Sequence, residues 1–334
     1  MTRIGFFLIL SFLLGHAHQV VGQTPASVPF DVLITGGTVY DGTGSAPVRA
    51  DVALRADHIV AIGNLSSASA HIVINAQGLA VAPGFINMLS HSERSLIVDG
   101  CSQGEIRQGV TTQIFGEFSM APLSDEMKQQ HIEALGNVIN SMPWTNVGDY
   151  LTFLEKRGIS QNVASFVGAG TIREYVIGLE SSPPSATQLN QMKELVRREM
   201  KAGALGVTTM LIYPPDFYSK TNELIALCKV ASEYRGKYVR EEKIISLAEA
   251  IRRLTGLPAT TLELEQRGFL KQGYFGDIVV FDAQTIGDRA TYANPHQYAV
   301  GMKHVFVNGR QVLKHGEHTG AKPGRALWGP GKVK

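Results

Sequence analysis

Short apolar runs alternate with turn-forming residues at both ends of the chain, a pattern typical of β-strands. The N-terminal part, residues 30–82, contains Gly-Gly, Asp-Gly-Thr-Gly and Ala-Asp turns between such runs. The same pattern resumes over residues 268–281 and 303–313, where Asn308-Gly309 between two apolar runs favours a β-hairpin. We therefore predict a small β-sandwich built from both chain ends, residues 30–82 and 268–320. The strands predicted in the first part are Asp31–Thr35, Gly37–Tyr40, Asp51–Arg55, His58–Ile62 and His71–Asn75.

Residues 84–265 instead alternate apolar runs with stretches of helical periodicity, which predicts an α/β domain with a parallel sheet or barrel. The predicted strands are Val110–Phe115, Val163–Val167 and Gly206–Leu211, and the predicted helices are Asp125–Ile139, Val147–Arg157, Ala186–Ala202, Asn222–Glu233 and Ser246–Thr255. A complete (β/α)8 barrel needs at least about 200 residues. The 182 residues here hold only four to five strand–helix units, so we predict an incomplete barrel.

The end of a predicted strand at residues 87–91 carries the most specific chemistry. Metal-dependent hydrolases place ligands there in a D-x-H-x-H pattern, because strand side chains on one face lie two residues apart. The five positions here are Asn87, Met88, Leu89, Ser90 and His91. The frame is kept, but His91 alone retains its ligand identity, which makes it a candidate metal ligand.

Residues 1–22 have the layout of a secretory signal peptide. Arg3 precedes an apolar run, Ile4–Leu14, that is shorter than the about 20 residues of a membrane-spanning helix, and small residues follow. We predict export to the periplasm or the exterior, with no later membrane span. The net charge of +2 and the lack of a basic run give no indication of a nucleic-acid partner.

Several segments resemble the N-acyl-D-amino-acid deacylases (D-aminoacylases) of the amidohydrolase superfamily. The GALGVTTMLIY and HTGAKPGR segments point most narrowly to the deacylases, whereas GYFGDIVVFD is common to many amidohydrolases. The resembling segments are DVLITGGTVYDGTG (31–44), VAPGFINMLSHSE (81–93), RQGVTTQIFGE (107–117), SFVGAGTIRE (165–174), AGALGVTTMLIYPPDFYSKTNEL (202–224), GFLKQGYFGDIVVFD (268–282) and NPHQYAVGMKHVFVNGRQVLKHGEHTGAKPGRAL (294–327).

The resemblance implies a β-sandwich, a zinc-bearing barrel and a small-molecule substrate, an N-acyl-D-amino acid. It places His91 at the second ligand position and Glu117 at a turn where the family has a Cys ligand, with a solvated loop residue as the alternative. Arg173 is implied as the contact for the substrate carboxylate, with a surface role as the alternative. Tyr213 is a candidate for lining the same mouth, with buried packing as the alternative.

The resemblance is interrupted after LCKVASEY (227–234), where the sequence passes directly to a segment resembling the last part of the family's barrel (236–259). The expected further metal histidines and the Asp general base are missing with the skipped part, so no catalytic base is assigned. Two ligands cannot close a tetrahedral zinc site. We therefore expect weak zinc binding or none, and turnover near background.

Three interpretations follow: an N-acyl-D-amino-acid deacylase, an inactive remnant or truncated product of one, and a cyclic-amide hydrolase related to dihydropyrimidinases. The HTGAKPGR ending argues against the third. Cys101 and Cys228 are predicted to be free buried thiols, with a disulfide between them left open. The oligomeric state, the acyl group and the D-amino acid are also left open.

Overall fold

The computed structural model describes residues 29–136, 138–234, 246–290, 294 and 296–332. The predicted signal peptide and residues 235–245, where the resemblance is interrupted, lie outside this set. The strands are β1 Phe30–Val39, β2 Val48–Arg55, β3 His58–Gly63, β4 Ala70–Asn75, β5 Ala80–Pro83, β6 Phe85–Asn87, β7 Val110–Phe115, β8 Asn162–Ser165, β9 Val167–Gly168, β10 Val207–Thr208, β11 Ile278–Phe281, β12 Met302–Val307, β13 Arg310–Lys314 and β14 Glu317–His318.

The helices lie almost entirely in the middle of the chain. They are α1 Ser95–Val98, α2 Gln103–Ile106, α3 Asp125–Ala134, α4 Val147–Arg157, α5 Ala169–Ile177, α6 Ala186–Ala202, α7 Thr221–Ser232, α8 Leu247–Leu254 and α9 Gly256–Thr261, with a short 3-10 helix at Asp216–Tyr218. None of the helices in the described residues is long and apolar enough to span a membrane.

A nine-stranded sheet joins strands from both ends of the chain, in the order β14-β13-β12-β11-β5-β1-β2-β3, with β4 beside β1. Strand β11 connects the N-terminal and C-terminal strands of this sheet, because it pairs antiparallel with both β5 and β12. Every residue of β11 is buried, because successive side chains enter two different apolar clusters on opposite faces. The predicted strands 31–35 and 37–40 are one strand, β1, which a bulge at Gly36 interrupts.

The predicted hairpin at Asn308-Gly309 is confirmed. Val307 pairs with Arg310 across a two-residue turn, and Asn308 and Gly309 have φ angles of 47° and 75°. Positive φ at both central residues is the requirement of a type I′ turn, which Asn-Gly meets at low energy. The turn lies against the β2–β3 connection, because a Cβ atom at Gly309 would stand 2.0 Å from the carbonyl oxygen of Ala56.

Gly309→Ala is expected to lower the free energy of unfolding by about 2 to 4 kcal/mol, because a backbone overlap adds to the cost of positive φ. Gly273→Ala is the matched control, since Gly273 has a φ of 84° and open space at its Cβ position. Urea unfolding followed by circular dichroism measures both. Equal losses in the two variants would contradict the assigned contact with Ala56.

The middle of the chain contributes a parallel sheet segment. Strands β6, β7 and β8 pair in parallel, and β9 pairs in parallel with β10. Strands β8 and β9 are one extended run, because the intervening Phe166 N–H donates to the carbonyl oxygen of Phe115 at 2.8 Å. Within the described residues, the segment therefore has four strand positions, in the order β6, β7, β8/β9, β10.

Both faces of this segment are covered. All of β7 is buried, as expected for a parallel strand with helices over it. On the outer face, helices α1 and α3 to α7 contribute to a large apolar cluster. On the inner face, Ile86, Ile114 and Ala164 pack against residues of α9 and the turn after it.

The predicted helices 147–157 and 186–202 are confirmed at their predicted bounds. Both begin at side-chain caps, Asn146 and Ser185, the latter in a capping box with Gln188. The prediction for 125–139 is too long, since α3 ends at Ala134. Helix α5 was missed because its first two residues, Ala169-Gly170, follow a strand directly and give no start signal.

Candidate metal site

His91 and Glu117 lie close together at the carboxyl ends of neighbouring parallel strands. Strand β6 ends at Asn87, and the Ser90 N–H donates to the carbonyl oxygen of Ile114 at 2.9 Å, which places the residue before His91 beside the end of β7. Glu117 follows the end of β7 by two residues. His91 Nε2 stands 3.6 Å from Glu117 Oε2, so the structure brings these two candidate ligands together.

The spacing of this pair fits zinc. Two tetrahedral ligand atoms, each about 2.1 Å from zinc, lie about 3.4 Å apart. The His91 side chain is 62% exposed and that of Glu117 22%, so the pair is accessible from solvent. Imidazole nitrogen and carboxylate oxygen are both zinc ligands in proteins.

The described residues do not complete the coordination. Among them, no group of three or more His, Cys, Asp or Glu side chains is arranged to hold a metal ion. Leu89, at the position of the other histidine, is exposed. Among the described residues, His91 and Glu117 are therefore two candidate ligands that lie together, and their role in metal binding stays a prediction.

The structure explains why position 87 carries Asn where the metal-hydrolase pattern has Asp. Its amide nitrogen donates to Glu105 Oε1 at 3.1 Å, and its side-chain oxygen accepts from the Leu89 N–H at 3.1 Å. Burial raises the pKa of Glu105, and the hydrogen bond from Asn87 opposes that shift. An Asp at position 87 would put a second carboxylate against Glu105, which electrostatic repulsion disfavours.

Glu93 is a buried acid near the pair to which the sequence assigned no role. Burial raises the pKa of Glu93, and the nearby charges of His91 and Arg94 oppose the shift. The hydroxyl of Tyr150, a residue of α4, donates to the Glu93 carbonyl oxygen at 2.7 Å. This hydrogen bond attaches the backbone near His91 to helix α4. In the sequence, the feature that could have identified Glu93 is its position two residues after His91.

The prediction that Arg173 contacts a substrate carboxylate does not hold in this structure. Arg173 lies in α5 with a side chain that is 0% exposed, and it forms two hydrogen bonds to Glu223, at 2.9 and 2.8 Å. Its other terminal nitrogen donates to the carbonyl oxygens of Glu180 and Ser182. Because the terminal nitrogens already have buried partners, this guanidinium ties α5 to α7 and to the loop before α6.

Tyr213 lies in the loop after β10 and is 52% exposed, so the alternative of buried packing is wrong. Leu211, Ile212 and Phe217 in the same loop region are also exposed. The Thr208 hydroxyl at the end of β10 donates to the carbonyl oxygen of Gly116, which places this loop at the same sheet edge as Glu117. Tyr213 therefore lies at the carboxyl edge of the parallel segment.

Both cysteines are unpaired. Cys101 is half-buried and Cys228 is exposed, so the prediction of free thiols is confirmed and the prediction that both are buried is wrong. Burial raises the pKa of each thiol, and for Cys101 the nearby Asp99 raises it further.

Comparison with known proteins identifies relatives across most of the chain. A profile described as the amidohydrolase family matches residues 214–313. The D-aminoacylase of Alcaligenes xylosoxydans xylosoxydans is 35% identical over 214 residues, which is 64% of this chain and 44% of that protein. The N-acyl-D-glutamate deacylase of the same organism is 31% identical over 60% of this chain and 41% of its own length. The chain thus spans less than half of these two relatives.

A third relative shows how large the difference in length is. The N-acyl-D-aspartate deacylase of that organism is 24% identical over 485 aligned positions, covering 92% of this chain and 97% of that protein. Since 92% of 334 residues is about 307, roughly 180 of the 485 positions have no residue of this chain opposite them.

Solved structures share the fold. A crystal structure of D-aminoacylase superposes with a TM-score of 0.76 at 22% identity, covering 90% of this chain and 100% of the other. The N-acyl-D-glutamate deacylase of Bordetella bronchiseptica, solved with zinc and a phosphonate inhibitor, gives 0.79 at 21% identity with the same coverage. These matches show that the chain has the mixed α/β fold of the D-aminoacylase structures and that residues 214–313 are similar to the amidohydrolase family. The curated relatives that it resembles are a D-aminoacylase and the N-acyl-D-aspartate and N-acyl-D-glutamate deacylases.

Proposed function

We propose that this chain hydrolyses the amide bond of N-acyl-D-amino acids in a zinc-dependent reaction. The observation that carries the proposal is the His91–Glu117 pair, held 3.6 Å apart at the carboxyl edge of the parallel strands. The names of the deacylase relatives supply the substrate class. These relatives favour a deacylase over a cyclic-amide hydrolase.

We also propose an arrangement of the chain into a half barrel and a sandwich. We take the four parallel strand positions as one half of a (β/α)8 barrel within residues 84–265, and the sheet from residues 30–82 and 268–320 as the accompanying sandwich. The roughly 180 unmatched positions of the aspartate deacylase correspond in size to the other half. We further propose that the chain is exported and that residues 1–22 are its signal peptide, on the layout of that segment.

The residues of this chain have separable tasks in such a reaction. His91 and Glu117 would hold zinc, which activates a water molecule near neutral pH when bound. Glu117 is the less exposed partner and anchors the site to β7, whereas the imidazole of His91 faces solvent. The exposed loop with Tyr213 lies at the same sheet edge and gives a small substrate an apolar wall.

The test measures acetate release from N-acetyl-D-amino acids by the full chain, with and without added zinc. We expect slow release that requires zinc, because the described residues supply only two ligands. His91→Ala should reduce it by about tenfold or more, to background. His71→Ala is the control, since His71 is exposed on β4, in the nine-stranded sheet.

A chain that releases no acetate at any zinc concentration, while a full-length D-aminoacylase works in the same assay, would contradict the proposed activity. Equal rates in His91→Ala and the unaltered chain would remove His91 from the site.

A further inference from the structure

The loop after β10, residues 209–219, has the reverse of the usual distribution of polar and apolar side chains. Its acidic residue, Asp216, is 1% exposed and accepts a hydrogen bond from the Met210 N–H at 2.7 Å. Its large apolar side chains are exposed instead, Ile212 by 74% and Phe217 by 62%. A buried carboxylate below exposed large apolar side chains marks a surface that binds another molecule.

Close packing of backbone places this loop next to the candidate metal site. A Cβ atom on Gly168 would stand 2.7 Å from the carbonyl oxygen of Glu117, so the end of β9 touches the backbone of this candidate ligand. A Cβ atom on Gly170 would stand 2.9 Å from Cγ of Asp216, so the first turn of α5 touches the loop. Because Gly168 and Gly170 are two residues apart, the loop and Glu117 flank the same turn.

The loop surface offers no charge to a ligand. Between Ala204 and Tyr218 the one charged residue is Asp216, which is buried. The guanidinium of Arg173 is 0% exposed and is paired with Glu223. A carboxylate on this surface would lose water without gaining a partner, which is unfavourable. The part of a ligand that lies on the loop is therefore uncharged.

The two halves of an N-acyl-D-amino acid differ in this respect. The amino-acid half carries a carboxylate one carbon away from the amide nitrogen, whereas an alkyl acyl group carries no charge. On the opposite side of the candidate site, Arg94 follows His91 by three residues, is exposed, and acts through its charge on Glu93. A substrate lying along the carboxyl edge from β6 to β10 thus has its carboxylate near Arg94 and its acyl group near the loop.

We propose that the loop surface formed by Leu211, Ile212, Tyr213 and Phe217 is a subsite for the acyl group, and that this chain selects long alkyl acyl groups over acetyl. The proposal deepens the proposed function and rests on it. Full burial of a methylene group strengthens binding about fourfold. An open surface covers part of each group, so we expect about twofold per methylene.

Binding to the full chain without added zinc, measured by isothermal titration calorimetry below the micelle concentration of the ligand, tests the subsite without turnover. N-octanoyl-D-alanine should bind at least about 30-fold more tightly than N-acetyl-D-alanine, because its acyl group has six more methylene groups. The matched ligand is its isomer N-acetyl-D-2-aminononanoic acid, which carries the alkyl chain on the amino-acid half. This isomer should bind at least about tenfold more weakly than N-octanoyl-D-alanine.

Variants of the loop assign the effect to its side chains. Ile212→Ser and Phe217→Ser should each weaken binding of N-octanoyl-D-alanine by about three- to tenfold and leave that of N-acetyl-D-alanine unchanged. Leu179→Ser is the matched control and should bind both ligands like the unaltered chain. Leu179 is 63% exposed, but it follows the far end of α5, which leads away from the carboxyl edge for nine residues, about 13 Å. Leu211→Ser replaces a loop variant that does not fold by circular dichroism.

Equal affinity for the octanoyl and acetyl ligands would overturn the proposal, as would equal affinity for the two isomers or equal losses in Ile212→Ser and Leu179→Ser. A doubled mass in light scattering that Ile212→Ser halves would assign the loop to a second copy of the chain instead. Octanoyl-selective binding without octanoate release on addition of zinc would leave the subsite intact and contradict the proposed function. Zinc-dependent release with the same kcat/KM for both acyl groups would support the proposed function and overturn the subsite.

Discussion

Asp277→Ala is expected to lower the free energy of unfolding by about 3 to 5 kcal/mol, because it leaves a buried guanidinium without its counter-charge. Asp277 forms an ion pair with Arg267, and the two side chains are 5% and 3% exposed. Asp277 also accepts from Asn162 Nδ2 at 3.2 Å and from the Asn308 N–H at 2.8 Å. Asn162 begins β8, so this network ties the nine-stranded sheet to the parallel segment.

Chemical denaturation followed by circular dichroism measures this loss. Asp288→Ala is the control, since that exposed carboxylate accepts a local hydrogen bond from Ala290 and should change stability by less than about 0.5 kcal/mol. The double variant Arg267→Met with Asp277→Leu should recover part of the loss, because it leaves neither charge buried alone. A loss in Asp277→Ala no larger than in Asp288→Ala would contradict the assigned network.

Glu223→Ala is expected to cost about 3 to 5 kcal/mol for the same physical reason. Its partner Arg173 is 0% exposed and donates hydrogen bonds to both carboxylate oxygens of Glu223. The remaining acceptors of Arg173 are neutral carbonyl oxygens, which do not balance its charge. Thermal and urea unfolding should both show the loss.

A surface ion pair gives the matched control for Glu223. Glu194→Ala removes the exposed partner of Arg197 in α6, and exposed pairs contribute about 0 to 1 kcal/mol. A substrate-binding Arg173 would behave differently, since Arg173→Lys would then raise KM and leave stability unchanged. We expect Arg173→Lys to lower stability instead, because a single ammonium cannot reproduce the paired contact.

Much of the fold follows from local sequence. The bounds of α4 and α6 were predictable because Asn146 and Ser185 are caps that act within one helical turn. The hairpin at Asn308 followed from the demand of a two-residue turn for positive φ. Helix α5 was not predictable in the same way, since it starts directly at a strand end without a cap.

The candidate site was predictable only in part. The two-residue period of a strand identified His91, and parallel strands explain why Glu117 lies beside it. Arg173 was assigned from a strand end that proved to be a helix. Its partner Glu223 is 50 residues away, and no local pattern connects the two.

By itself, the sequence determined the deacylase resemblance, the strand texture of both ends, the turn at Asn308 and the reduced ligand set at residues 87–91. These features depend on residue identity and short-range periodicity, which a chain carries whatever its tertiary contacts. The tertiary structure decided which charges are buried, that Arg173 binds Glu223, and that Asp277 joins the two sheets. Pairing between residues distant in sequence depends on packing the whole chain, because burial makes an unpaired charge costly only after the elements have assembled.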